Sequence, residues 1–248
     1  MGILQKIVAN TKANLAHKKV ELPLEKIQSS LENLKLPRGK FKDHISSKDE
    51  AIIAEIKKAS PSAGVIKEDF DHTKIAMEYE SFGASALSIL TEEDFFMGSV
   101  EYLKEVKKIT SLPILRKDFM IDEYQIYESK IIGADCILLI ASILTDQEIE
   151  DFISTAKKLE LDYLIEVHDE NELKRVEHFE DALIGVNNRN LETFEVDLNN
   201  SVRLRNTFKQ KNIFIAESGI KSREDMNYLK MNNIKVFLIG ESLMRGSF

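Results

Sequence analysis

Tryptophan is absent and cysteine occurs once, at Cys136. A single thiol excludes a disulfide framework and any zinc site built on paired cysteines. Glycine and proline are sparse, ten and four residues in 248, which excludes collagen-like and linker-rich chains. No apolar run approaches the roughly 18 residues that a spanning helix needs; the longest, near 137–142, is far shorter. The first ten residues lack the cleavage site and continuous apolar core of an export signal. A cytoplasmic location is therefore expected. Basic residues are outnumbered, 34 against 42, for a net charge of −8. That balance argues against a nucleic-acid partner, which usually needs a basic face. A small anionic ligand needs only a local cluster of positive charge and stays open. What is present, 43% hydrophobic and 31% charged residues, suits a globular chain long enough to bury a large core.

Eight short apolar or β-branched runs recur along the chain, at 51–56, 86–90, 113–116, 136–140, 163–167, 183–186, 213–216 and 236–239. Each has the pattern of a strand buried on both faces, as in a parallel sheet. Segments with helical spacing separate them, at 73–82, 100–109, 122–132, 146–159, 170–176, 199–208 and 223–231. Thr145 ahead of Asp146 and Glu148, and Ser222 ahead of Asp225, give helix N-terminal signals. Gly83 and Gly133 stand where a helix would turn into the next strand. Eight alternating units predict a single α/β domain over 1–248, a (β/α)8 barrel. An open doubly wound sheet is the rival. Its Gly-rich first turn is missing, because "KKASPSAG" follows the first strand. Residues 1–45 fall outside the repeat. Ile3, Leu4, Ile7 and Val8 form an apolar stripe there, predicting a helical extension packed on the barrel.

Charges interrupt the apolar runs at their C-terminal ends: Glu55 and Lys57, Arg116-Lys117-Asp118, Glu166 and His168, Asn187-Asn188-Arg189, and Glu217-Ser218-Gly219. In this barrel the active site sits at that end. Alternation along a strand puts Ile53, Glu55 and Lys57 on one face, and likewise Leu115 with Lys117, Leu164 with Glu166, and Ile215 with Glu217. Two lysines and three glutamates converging on one mouth would perturb one another's pKa values, as acid–base sites require. Gly219 and Gly240 follow the seventh and eighth runs. Loops there form the common phosphate site of the fold, and glycine lets backbone N–H groups come close. Ser60, Ser62 and Gly64 add possible donors from the first loop. Phe95, Phe96 and Phe119 suit either packing or a planar apolar substrate. Cys136 reads as a core residue, His168 as weak evidence for a metal, and "AHKK" as a solvated face.

The motifs "IIAEIKKASPSAG", "ALSILTEEDFFMGS", "PILRKDF", "GADCILLI", "LIEVHDENEL", "IGVNNRNLETFEVD", "AESGI" and "LIGESLMR" occur in this order. Together they make the chain resemble the indole-3-glycerol-phosphate synthase family of tryptophan biosynthesis. The resemblance implies a barrel with an N-terminal helical extension and no metal or organic cofactor. It implies a small phosphorylated substrate, 1-(2-carboxyphenylamino)-1-deoxyribulose 5-phosphate, closed to an indole with loss of carbon dioxide and water. Lys117 matches the family's general acid for ring closure, Glu166 the base of the dehydration, and Lys57 a lysine that contacts the substrate. How the two lysines divide the acid steps stays open. Glu55, Asn187 and Glu217 match residues that position the lysines and substrate hydroxyls. Arg189 matches the residue holding the anthranilate carboxylate. Phe96, Phe119, Leu138 and Leu191 would line the aromatic pocket, and Ser60, Ser218, Gly219 and Gly240 would surround the phosphate.

Two positions depart from the family pattern. Asn190 stands where Asp is common, and Glu241 stands beside the phosphate glycine where Ser or Thr is common. The Glu241 carboxylate is expected to weaken phosphate affinity. The family usually continues into a final helix after "SLMR", where this chain ends at Phe248. Strands one and eight are therefore expected to be partly exposed, with lower stability or dimerisation over the gap as consequences. A monomer and a homodimer both remain open. Of the rivals, phosphoribosylanthranilate isomerase needs a Cys/Asp pair, whereas Cys136 lies at a strand start, away from the mouth. A non-catalytic binder of phosphorylated ligands would have no use for Lys57, Lys117 and Glu166.

Overall fold

In the computed structural model, which describes residues 2–32 and 37–248, eight parallel strands close into a barrel. They are β1 (Ala51–Ile56), β2 (Ala86–Leu90), β3 (Ile114–Lys117), β4 (Cys136–Ile140), β5 (Asp162–Val167), β6 (Leu183–Asn187), β7 (Phe214–Glu217) and β8 (Val236–Ile239). Each strand pairs with its sequence neighbours, and β1 pairs with β8 to close the ring. Helices α1 (Ile3–Glu21), α2 (Leu24–Glu32) and α3 (Phe41–Ser46) precede the barrel. Helices α4 (His72–Phe82), α5 (Val100–Lys107), α6 (Glu123–Ile132), α7 (Asp146–Lys158), α8 (Glu170–Val176), α9 (Asn199–Thr207) and α10 (Arg223–Met231) alternate with the strands, and a single turn, α11 (Glu241–Met244), follows β8. This is the (β/α)8 barrel expected from the repeat.

The helix signals work as their chemistry requires. Thr145 and Ser222 form complete capping boxes with Glu148 and Asp225. Gly83 and Gly133 end α4 and α6 in left-handed conformation, φ 93° and 92°. Three strands run one residue past the apolar runs, so Lys117, Asn187 and Glu217 are the last residues of β3, β6 and β7 rather than loop residues. Side-chain hydrogen bonds from Lys117 to Glu217 and from Lys117 and Asn187 to Glu166 offset the poor strand propensity of charged and amide groups.

Side chains inside the barrel form one cluster, including Ile53, Leu115, Cys136, Leu138, Leu164, Ile215 and Leu238. Phe41 and Ile45 of α3, both fully buried, belong to this cluster and plug the N-terminal end. Thus α3 is part of the barrel's core. α1 and α2 pack differently: Leu15 and Ile27 meet Tyr124 and Tyr127 of α6. Lys19 is not a free surface charge, since its Nζ donates to Asp122 at 2.6 Å.

Strands one and eight are not exposed, contrary to expectation. Their outward residues Ile52, Ala54, Ile56, Phe237 and Ile239 are all buried. Leu243, Met244 and Phe248 pack over them, and the Phe248 ring lies edge-on to Phe82 with centroids 6.3 Å apart. One turn and one aromatic ring thus cover the apolar surface where a longer helix was anticipated.

Candidate active site

Every residue to which the family resemblance gives a role lines one cavity of about 500 Å³ at the C-terminal end of the strands, whereas Arg116, His168, Asn188, Gly64 and Phe95 do not. Ile3, Leu4 and Ile7 of α1 lean over it. Asp94 in the loop after β2 ties α1 down, accepting hydrogen bonds from Asn10 and Asn14 at 2.5 and 2.8 Å.

At the floor lies a charge cluster. Lys117 Nζ donates to Glu166 Oε2 at 2.6 Å and to Glu217 Oε2 at 2.8 Å. Lys57 Nζ pairs with Glu55 Oε1 at 2.7 Å. Asn187 Nδ2 donates to Glu166 Oε1 at 3.0 Å, while Asn187 Oδ1 accepts the Arg189 N–H. The Glu55, Glu166 and Glu217 side chains are almost fully buried, and Lys117 keeps 14% of its exposure, facing the cavity. Burial disfavours the charged lysine, yet Glu166, Glu217 and Glu55 outweigh it and hold the proton on Lys117 well above the ordinary range. Burial likewise opposes an ionised Glu166, but Lys117 and His168 keep its carboxyl well below the usual range. Glu217 goes the other way. Burial, with Glu166 and Glu55 beside it, overrides Lys117 and lifts its carboxyl to about 7. The cluster thus holds a cationic acid, an ionised carboxylate and a carboxyl poised near neutrality.

Gly185 makes the fit possible, and it was not singled out from sequence. It is the inward residue of β6 between Leu183 and Asn187. A β-carbon there would collide with Glu217 Oε1 and lie 2.7 Å from Leu164 Cδ2. The legible signal was a glycine at an inward position of an apolar strand, which marks close approach of another group. Ser88, inward on β2 beside Glu55, was also missed. Its Oγ and Glu217 Oε1 are buried without a hydrogen-bond partner.

Apolar residues face this floor. Phe96 and Phe119 place their rings 5.9 Å apart, with Leu138 and Leu191 on the same cavity. Glu92 fixes Phe96: its carboxylate accepts the backbone N–H groups of Asp94, Phe95 and Phe96. Across the cavity, Ser218 and Gly219 are both left-handed, φ 64° and 81°. A β-carbon on Gly219 would strike Val196 Cγ1, so glycine lets the loop after β6 close on the one after β7. Ser60 and Gly240 line the same side. Ser60 lies in a short antiparallel ladder, Ala59–Ser60 with Gly64–Val65, where a plain loop was expected.

The sequence departures have structural explanations. Asn190 Oδ1 accepts the N–H groups of Glu192 and Thr193, a turn role that either Asn or Asp fills. Glu241 ion-pairs with Arg245 at 3.1 Å and Arg189 at 3.7 Å, so its charge is partly answered. Arg116 does not join the mouth. Parity turns it outward, where it is 1% exposed and bonds Thr91, Asp118, Gln125, Glu128 and Ser129.

The indole-3-glycerol phosphate synthase family model matches residues 4–247. The chain belongs to this family. Among named relatives, the indole-3-glycerol phosphate synthase of Endomicrobium trichonymphae is 46% identical over 244 residues, covering 98% of this chain and 95% of that protein. That of Ruminiclostridium cellulolyticum is 46% identical over 245 residues, covering 98% and 94%. Among solved structures, a mutant tryptophan synthase α-subunit from Pyrococcus furiosus superposes with a TM-score of 0.60 at 15% identity, covering 80% of this chain and 90% of that one. At that identity the likeness speaks for the barrel alone. Family membership sets aside the isomerase reading, and the carboxy-lyase activity of the family is the one to which the cavity's chemistry must answer.

Proposed function

We propose that this chain closes 1-(2-carboxyphenylamino)-1-deoxyribulose 5-phosphate to indole-3-glycerol phosphate by lysine and glutamate acid–base catalysis. The observation that carries the mechanism is the Lys117 ammonium held between Glu166 and Glu217 at the floor of a cavity with an aromatic wall. The substrate spans that cavity. Its phosphate sits among Ser60, Ser218, Gly219 and Gly240, and its aryl ring against Phe96, Phe119, Leu138 and Leu191. Arg189, a planar fork, holds the anthranilate carboxylate. Fixing both ends folds the linker so that the aryl carbon bearing the carboxylate meets the ribulose carbonyl.

The new carbon–carbon bond pushes charge onto the carbonyl oxygen. Lys117 donates its proton there, converting the oxygen to a hydroxyl. Loss of carbon dioxide returns the bonding electrons to the ring. Lys57 then protonates the departing hydroxyl, and Glu166 removes the proton whose loss restores aromaticity. One carbon dioxide and one water leave per indole formed. Glu55 and Glu217 hold the lysines, and Asn187 aims Glu166. Glu241 competes with substrate anions for Arg189 and weakens their binding.

The site lies within one chain, so the reading holds for a monomer or a homodimer. No helix among the described residues is long and apolar enough to cross a membrane; the cytoplasm is the location proposed for this reaction. The test is turnover of variants. Lys117→Met should lose turnover by about 10²–10⁴-fold or more, and Glu166→Gln by a similar factor in kcat. Near-normal turnover by either variant removes that residue from the mechanism. Saturable binding without turnover by the wild-type protein would favour a binder of phosphorylated ligands.

A further inference from the structure

A second cation stands behind Glu166. His168 directly follows β5, and its ring lies between two carboxylates. Nε2 is 3.4 Å from Glu166 Oε1, and Nδ1 is 3.1 Å from Glu172 Oε2. Glu172 belongs to α8, and the same Oε2 accepts the backbone N–H of His168 at 2.7 Å. The ring is therefore fixed from the α8 side. Its Nε2 is buried and has no hydrogen-bond partner, leaving Glu166 as the acidic group it faces.

The charge state follows from this geometry. A neutral imidazole carries one N–H and one lone pair, so either tautomer would aim a lone pair at a carboxylate. The imidazolium offers a proton to each. Burial opposes that charge, but Glu166 and Glu172 outweigh it and raise the ring's pKa to about 10. The groups facing the ring are Glu166 from β5 and Glu172 from α8. α9 contributes the neutral Asn200, whose Nδ2 donates to the backbone carbonyls of His168 and Asn187. Lys117 of β3 and Glu217 of β7 lie on the far side of the Glu166 carboxylate.

We propose that His168, as an imidazolium, is a positioning residue for Glu166: with Asn187 it holds Oε1 and keeps the carboxylate ionised, leaving Oε2 to take the substrate proton. This rests on the reading of Glu166 as the base. Lys117 stops being a cation when it gives its proton to the substrate oxygen, and its 2.6 Å contact with Oε2 then no longer holds Glu166 ionised. Once Lys117 turns to the substrate, Glu166 is a buried carboxylate among Glu55 and Glu217. It would take up a proton early unless another cation opposed that. His168 is the cation in place, on the oxygen that Lys117 does not use.

Two measurements test this. The first is the pH dependence of kcat for wild type, His168→Gln and Glu172→Gln, with thermal melts to confirm folding. His168→Gln should move the acidic limb of kcat upward by about one pH unit or more, because a unit charge at this distance contributes at least that much. Glu172→Gln, which leaves the ring charged at acidic pH by its contact with Glu166, should leave the limb near its wild-type place. A uniform loss of kcat in His168→Gln with an unmoved limb would mean a merely structural ring and would overturn the proposal. The second is a ¹⁵N-histidine NMR titration of the wild-type protein, with His168 assigned by its loss in His168→Gln. The ring should stay doubly protonated through pH 8, and a neutral ring at pH 7 would overturn the proposal even if no variant folds. The titration needs no substrate, so it separates failure of this proposal from failure of the proposed reaction, which absent wild-type turnover would reveal.

Discussion

Gly185→Ala adds one methyl group at a position outside the lining of the cavity. Its β-carbon would lie 2.7 Å from Leu164 Cδ2, 3.3 Å from Glu217 Cδ and closer still to Glu217 Oε1. Leu164 is fully buried in the barrel interior and has no room to retreat. The Glu217 carboxyl must move instead, giving up its 2.8 Å bond with Lys117. Overpacking of this kind costs about 1–3 kcal/mol. For a domain of this size each kcal/mol lowers the melting temperature by about 2–4 °C, so a fall of about 2–12 °C is expected. A hydrogen bond between charged groups is worth about 1.5–3 kcal/mol. Its loss should lower kcat/KM by about 10- to 150-fold if Glu217 anchors Lys117. Calorimetry and turnover on Gly185→Ala, Glu217→Ala and the double variant make the cycle. In the double variant the methyl no longer meets Glu217 and keeps only its contact with Leu164, so the fall in melting temperature should be smaller than the sum of the single losses. Additive losses would refute the argument that Glu217 is the displaced group. An unchanged melting temperature and kcat/KM in Gly185→Ala would refute the tight fit itself.

Three further predictions concern charge. Lys117→Met takes from Glu217 the cation it shares with Glu166, so the Glu217 carboxyl should rise further, while His168 still faces Glu166. The folded variant then keeps that proton to higher pH than wild type, so chemical denaturation should show it losing stability relative to wild type as the pH rises from about 7 to about 9; a constant difference would contradict the cluster's electrostatics. Glu217 ionises near pH 7 in the free protein, adding negative charge where an anionic substrate binds and tightening the hold on the Lys117 proton. Accordingly kcat/KM should decline through an inflection near 7 that Glu217→Gln removes; persistence of the inflection in the variant would assign it elsewhere. Arg116→Met strands Asp118 and Glu128 beside a buried apolar side chain. Breaking a buried pair costs about 3–5 kcal/mol, a fall of about 6–20 °C for this chain length; a melt within 2 °C of wild type, about 1 kcal/mol or less, would mean that the network contributes little.

The barrel was legible because eight doubly buried strands leave eight apolar runs, and because side-chain alternation carries from Ile53 to Glu55 and from Leu115 to Lys117 without knowledge of the fold. The mouth was legible for the same reason, since charged residues on an inward parity have nowhere else to meet. Arg116 shows the limit. Proximity in sequence suggested the mouth, while parity already turned it outward toward α6. Contacts between distant segments were not legible. Nothing local in "AESGI" or "LIGVNN" says that Gly185 makes room for Glu217, and nothing in α1 says that Asn10 and Asn14 meet Asp94. The cover of strands one and eight was misjudged because only a further helix was counted as cover. Leu243, Met244 and Phe248 pack with the clusters that hold the strands' outward residues.

The central claim is the reaction itself, and product stoichiometry tests it most directly. Purified wild-type protein should be incubated with 1-(2-carboxyphenylamino)-1-deoxyribulose 5-phosphate while indole fluorescence and released carbon dioxide are followed together. One carbon dioxide per indole, with both signals lost in Lys117→Met, is the predicted result. Substrate that binds but yields neither signal, or carbon dioxide released without indole, would contradict the account.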